Sequence, residues 1–250
     1  MTNPRPHPGD VARYLRQQGE IGGDTLYLSE LTGEGALELA RRGEQGSETA
    51  GPSSPESSSV PSGGAEDYES LRSQAMVCQK CSLAGTRTHV VFSDGNPGAR
   101  LMVVGEAPGA REDETGKAFV GPAGKYLDLL LASIDLSREV SVYICNVLKC
   151  RPPGNRNPLP GEIEACTPYL RRQIQLVAPQ AILAVGTFSG QFLTGKSMPL
   201  GRLRGEVYSY EGVPLVVTYH PAYLLRTPAD KRKAWEDLLF AKSQTRDHPA

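Results

Sequence analysis

Leu101-Met102-Val103-Val104-Gly105-Glu106-Ala107-Pro108-Gly109 decides the architecture. Its apolar, β-branched run breaks into a Gly/Pro turn, which reads as a buried strand handing the chain to a loop. Runs of the same character recur at residues 140–146, 181–185 and 215–219. Helical patterns over 124–134, 160–177, 187–192 and 231–242 fill the gaps. Pro160 sits where a first-turn proline belongs, and Glu162 and Glu164 favour the positive end of that helix dipole. Apolar strands alternating with helices predict a parallel sheet covered on both faces, a three-layer α/β/α domain. Residues 207–210 and 213–217, joined by Glu211-Gly212, read as a hairpin that adds a mixed edge. No internal repeat is visible.

The predicted domain runs over 67–243 of the 250 residues. Residues 43–68 are rich in Ser, Gly, Pro and Glu, with too little apolar surface to offset the entropy of ordering, and read as a flexible linker. Ahead of it, 9–20 and 28–42 suit short helices, with Ala36, Leu39 and Ala40 on one face. Residues 1–66 thus form a leader of unknown partner and 244–250 a tail. The net charge of −1 hides an asymmetry: residues 1–70 hold five Lys/Arg against twelve Asp/Glu, and the remainder 22 against 16. A basic body permits a polyanionic partner. No apolar run reaches the ~20 residues of a membrane span, and the amino terminus lacks the apolar core of a secretion signal. Five cysteines, an odd number, fit a reducing compartment better than a disulfide framework. The expectation is a cytoplasmic protein.

Four of those cysteines stand out: Cys78-x-x-Cys81, then Cys150 and Cys166 far downstream. Thiolates so spaced can close on one soft metal centre, iron–sulfur or zinc, against the alternative of inert reduced thiols. Cys145, inside an apolar run, reads as a small buried hydrophobe. Glu106 follows a strand at the end of the sheet where ligands bind; no Gly-Lys-Ser/Thr makes this a Walker loop. Phe119, in an otherwise small and polar loop, is either that loop's anchor or a stacking platform for a planar base. Asn146 ends a strand, where it caps a turn or uses its amide to read a base edge. His220 also ends a strand, and Pro221-Ala222-Tyr223-Leu224-Leu225-Arg226 follows it. That order suits a base pocket with an apolar wedge and a phosphate contact. A Gly-x-Ser-x-Gly elbow and a His-Glu-x-x-His helix are both absent.

Taken together and in order, these segments resemble the family 4 (thermophile-type) uracil-DNA glycosylases over residues 70–242. The resemblance rests on Cys78-x-x-Cys81, Gly105–Gly109, the stretch 117–121, Asn146 through Pro153, Cys166 and 220–226. It implies a four-stranded parallel sheet and a [4Fe–4S] cluster on Cys78, Cys81, Cys150 and Cys166. It also implies a monomer that removes uracil from double- or single-stranded DNA. Phe119 would stack on the flipped uracil, Asn146 read its edge, and Gly105 and Ala107 line the pocket. His220 would donate to the departing base, while Leu224, Leu225 and Arg226 fill the gap left in the duplex. The chain departs from the related family 1 where an Asp orders the attacking water, for Ala107 stands there. Glu106 is the nearest carboxylate, with Glu112, Asp113 and Glu114 as alternatives. Relatives that bond covalently to the abasic sugar carry a His-containing insertion, whereas residues 154–158 are short and hold no His, which argues for turnover. The rival expectation is a non-catalytic iron–sulfur module that binds damaged or single-stranded nucleic acid.

Overall fold

The structure, a computed structural model, describes residues 62–245, with side chains from Asp67. The expected helices at 9–20 and 28–42, most of the linker and the end of the tail lie outside the described residues. Helix α1 (Ser62–Met76) opens the fold and begins inside the stretch read from composition as linker. Its sequence is polar, but Leu71 and Ala75, one turn apart, bury against Phe92 and Tyr169; tertiary packing overrides a weak local signal.

The sheet follows. Strand β1 (Asp94–Gly95) is a two-residue edge, and β2 (Leu101–Gly105) is buried throughout. The short helix α2 (Ala110–Thr115) and then α3 (Pro122–Ala132) lead to β3 (Val142–Asn146). Helix α4 (Pro160–Val177) starts with proline in its first turn, and Glu162 Oε2 accepts from the Leu159 N–H at 2.8 Å, closing that end. Strand β4 (Ala181–Val185), α5 (Thr187–Thr194) and α6 (Leu200–Leu203) come next. The hairpin β5 (Tyr208–Tyr210) and β6 (Val213–Thr218) turns through Glu211 and Gly212, both left-handed, as a two-residue turn requires. Helices α7 (Pro221–Arg226) and α8 (Lys231–Gln244) complete the domain.

Strand order is β1-β3-β2-β4-β6-β5. The four middle strands are parallel, with Gly105 opposite Asn146 and Val185 opposite Thr218. Only the two edges run antiparallel. The expected four-stranded parallel sheet is therefore the centre of a six-stranded one; β1 is too short and polar to show a period. Met102, Tyr143, Ile182 and Val217 are buried in one cluster with Leu170 and Ile174 of α4. All four middle strands end on the same edge of the sheet, and the residues singled out above gather there. Among the described residues no helix is long and apolar enough to cross a membrane.

Candidate active site

The pocket is built where four neighbouring strands stop. Gly105 ends β2, Asn146 ends β3, Gly186 follows β4, and His220 follows β6 by two residues. Gly105 has to be glycine, because a Cβ there would overlap Asn146 Oδ1 and come within 2.6 Å of Phe119 Cζ. Amide and aromatic ring thus close over a bare stretch of backbone. Asn146 is almost wholly buried, and its Oδ1 has no hydrogen-bond partner. A buried acceptor left unmatched costs ~1–3 kcal/mol, so this oxygen marks where a ligand's N–H belongs. The Phe119 ring lies 5.9 Å from the His220 ring, centroid to centroid, across the same space.

Phe119 adopts a left-handed φ of 53°, a conformation a bulky residue keeps only when its surroundings impose it. Two side chains impose it. Arg138 donates to the carbonyls of Ala118 and Phe119, at 2.7 and 2.6 Å, while paired with Asp94 and Asp128. Glu112 Oε1 accepts the N–H groups of Val120 and Gly121, at 2.9 and 2.8 Å. Glu112 is thereby committed to the loop. Asp113, the second alternative carboxylate, accepts from Thr88 and His89 backbone, and Glu114 pairs with Arg111 at the surface. That leaves Glu106, half-buried, whose carboxyl burial pushes above the ordinary glutamate range. Ala107 packs instead against the Leu83, Leu148 and Cys150 group.

His220 is neutral by construction. Burial pushes its pKa down to about 4; the nearby Arg226 charge adds to the effect and Glu112 opposes it. Its Nδ1 accepts from the Ala222 N–H at 3.1 Å, so the ring proton resides on Nε2. A left-handed Gly186, whose Cβ would lie 3.1 Å from His220 Cβ, lets β4 pass close beneath it. On α7 the structure separates two residues that the sequence grouped. Leu224 is fully buried, whereas Leu225 is 42% exposed and Arg226 is exposed beside it. The wedge role expected of Leu224 is corrected accordingly: the helical rotation turns Leu224 into the core and Leu225 outward.

Cys78, Cys81, Cys150 and Cys166 line one cavity with Lys80, Arg87 and Lys149. Among the described residues no group of three or more His, Cys, Asp or Glu is arranged to hold a metal ion; the four thiols nevertheless border one shared space. Arg87 donates to Cys150 Sγ at 3.3 Å and the Lys149 N–H to Cys166 Sγ at 3.2 Å, the N–H···S pattern that tunes cluster thiolates. Burial pushes the Cys150 thiol up and the Cys166 thiol to about 11; ionising them calls for a cationic ligand. Cys145 is completely buried in β3, away from the four.

The uracil DNA glycosylase superfamily model matches residues 92–239, which spans β1 to most of α8. The chain belongs to that superfamily. It is 44% identical over 171 residues to a type-4 uracil-DNA glycosylase of Archaeoglobus fulgidus, covering 65% of this chain and 85% of the relative. A type-4 enzyme of Thermotoga maritima is 42% identical over 182 residues, 71% of this chain and 94% of its own. A type-5 uracil-DNA glycosylase of Pyrobaculum aerophilum is 35% identical over 147 residues, 52% and 64% respectively. In this superfamily member, three residues take structural roles that the sequence did not indicate. Glu112 and Arg138 bond loop backbone far away in the chain, and Lys149, almost wholly buried, donates to the Asn146 carbonyl at 2.6 Å. Only a folded chain shows such pairings.

Proposed function

We propose that this chain hydrolyses the N-glycosidic bond of deoxyuridine in DNA, releasing uracil and leaving an abasic site. The observation that carries this reading is the unmatched, buried Asn146 Oδ1, which leans over Gly105 beside Phe119 at the ends of the parallel strands. A deoxyuridine enters by flipping, easiest from a U·G mismatch or a single strand. Its ring lies on Phe119. Asn146 Oδ1 accepts the uracil N3–H, and the amide nitrogen donates to O4; cytosine offers neither match. The His220 Nε2–H donates to the uracil O2 as charge builds there, the logic of an oxyanion hole. A neutral donor suits this role, because it does not surrender its proton to a good leaving group. Glu106 orders the water that captures the sugar. Leu225 occupies the vacated stack, and Arg226 holds phosphate.

The four-cysteine cavity holds a [4Fe–4S] cluster on Cys78, Cys81, Cys150 and Cys166. When bound, it supplies a crosslink among the chain segments that bear the ligands. The folded unit is the stretch 67–243, preceded by the leader and followed by the tail, and it works as a cytoplasmic monomer. The alternative of a binding module without chemistry is separated by one assay. The purified protein is incubated with an end-labelled deoxyuridine oligonucleotide, and alkali follows. Strand scission at the uracil supports the enzyme; retarded but uncut DNA sinks it.

A further inference from the structure

Lys149 is one of the most deeply buried charged residues in the domain, 2% exposed, and it pairs with no carboxylate among the described residues. An unpaired ammonium in an apolar interior is costly unless something nearby repays its hydration. Its surroundings answer that on two sides. Nζ donates to the Asn146 carbonyl at 2.6 Å and lies within reach of the Cys145 thiol. Its own backbone N–H donates to Cys166 Sγ at 3.2 Å, and its carbonyl accepts from Val91 at 2.8 Å. The next residue is Cys150.

We infer that Lys149 is a positioning residue that fixes the Asn146 amide, and so the base-reading edge, to the cysteine cavity. The inference rests on the reading of Asn146 given above. The peptide unit between Asn146 and Val147 is held at both ends: its carbonyl by Lys149 Nζ, its N–H by the Gly105 carbonyl at 2.9 Å. A peptide plane pinned at both ends cannot rotate about its neighbouring bonds. The direction of the Asn146 Cα–Cβ bond, and with it the side-chain amide, follows. Lys149 also lines the cysteine cavity, so the residue that orients the pocket borders the thiols directly. Pocket and cavity then share one residue, and an event at the thiolates reaches base recognition through it.

The test compares Lys149→Met, Lys149→Arg and Arg87→Met. Arg87→Met removes another cation from the cavity wall but touches nothing at Asn146. Three quantities are measured: direct binding of radiolabelled uracil, binding of abasic-site duplex, and iron per chain. Lys149→Met should weaken uracil binding roughly tenfold or more, the scale of one charge-assisted hydrogen bond. Abasic-duplex binding should stay within about twofold, a readout that general loss of fold would move. Lys149→Arg should recover most of the uracil affinity, and Arg87→Met, whatever it does to the iron, should lose clearly less uracil affinity than Lys149→Met. Unchanged uracil affinity in Lys149→Met overturns the inference. So does an equal loss in Lys149→Met and Arg87→Met that tracks iron content, because that pattern means fold alone. A wild-type chain that leaves deoxyuridine DNA intact sinks the parent reading instead, whatever the variants do.

Discussion

Gly105 is the residue on which the pocket's volume turns. Its missing side chain is the space into which Asn146 and Phe119 lean, and Gly105→Ala puts a methyl there. Excision should fall by about a hundredfold or more, the scale set by a ~1 Å misplacement of reacting groups. The equivalent change at Gly161, which faces open space, should leave the rate alone; single-turnover rates on a U·G duplex decide it. His220 carries a pH signature. Its folded pKa of about 4 lies below the ordinary 6.5, so between those values the unfolded chain takes up a proton that the folded chain refuses. The His220 contribution therefore destabilises the fold progressively as pH falls from about 6.5 to about 4 and levels off below. Urea midpoints at pH 7 and pH 4.5 should differ less in His220→Gln than in wild type. The excision rate, in turn, should show no acid limb at the ordinary histidine value, and an acid limb that vanishes in Glu106→Gln identifies that carboxylate instead.

At the scale of elements, the loop between α2 and α3 holds Phe119 in a conformation its own sequence would not choose. Arg138 bonds two of its carbonyls and two carboxylates. Arg138→Met should cost about 2–3 kcal/mol, since it strands carbonyls and a partly buried Asp94. Arg111→Met, which breaks only an exposed pair with Glu114, should stay within about 0.5 kcal/mol; urea denaturation compares the two. The sequence spoke clearly wherever one strand and its end sufficed. Residues 101–105, Asn146 and His220 were legible because an apolar run followed by a polar residue or turn is a local pattern. Arg138 was silent, and Glu112 stood only as an alternative base, because their partners are backbone groups brought close by folding. Leu224 and Leu225 could not be told apart, since adjacency in sequence says nothing of which side of a one-and-a-half-turn helix meets the core. β1 hid for another reason: two residues make no period.

The whole molecule is closed by its cysteines. Cys78 and Cys81 follow α1, Cys150 follows β3, and Cys166 lies in α4, so a cluster there closes a long loop and removes freedom from the unfolded chain. Anaerobically purified protein should be brown with about four irons per chain. Cys150→Ser should bleach it and lower the melting temperature, while Cys145→Ser should keep its iron, as iron and absorbance assays will report. Finding zinc alone would overturn the cluster. The opening helix makes a second prediction. Because Tyr68, Leu71 and Ala75 pack against Phe92 and Tyr169, a chain starting at Ser62 should melt like the full protein, and one starting at Val77 should lose several degrees. Composition reads 62–68 as linker because it weighs their polarity and cannot see what Leu71, further along the same helix, buries.

Four walls of the pocket hang each from its own strand, bare backbone from β2, the amide from β3, the glycine step from β4 and the imidazole from β6, while the Phe119 ring reaches in from the α2–α3 loop. The sheet beneath is a shared rack, and each strand end is a separate tool clipped to it. Which base edge is accepted is written at the tip of β3, and how the departing base is met is written after β6. The tips of β2 and β3 face each other, Gly105 opposite Asn146, and must change together, whereas His220 lies beyond the pairing of β6, which ends at Thr218. How the departing base is met is therefore open to single changes after β6, while a new base preference calls for paired changes at the two tips that touch.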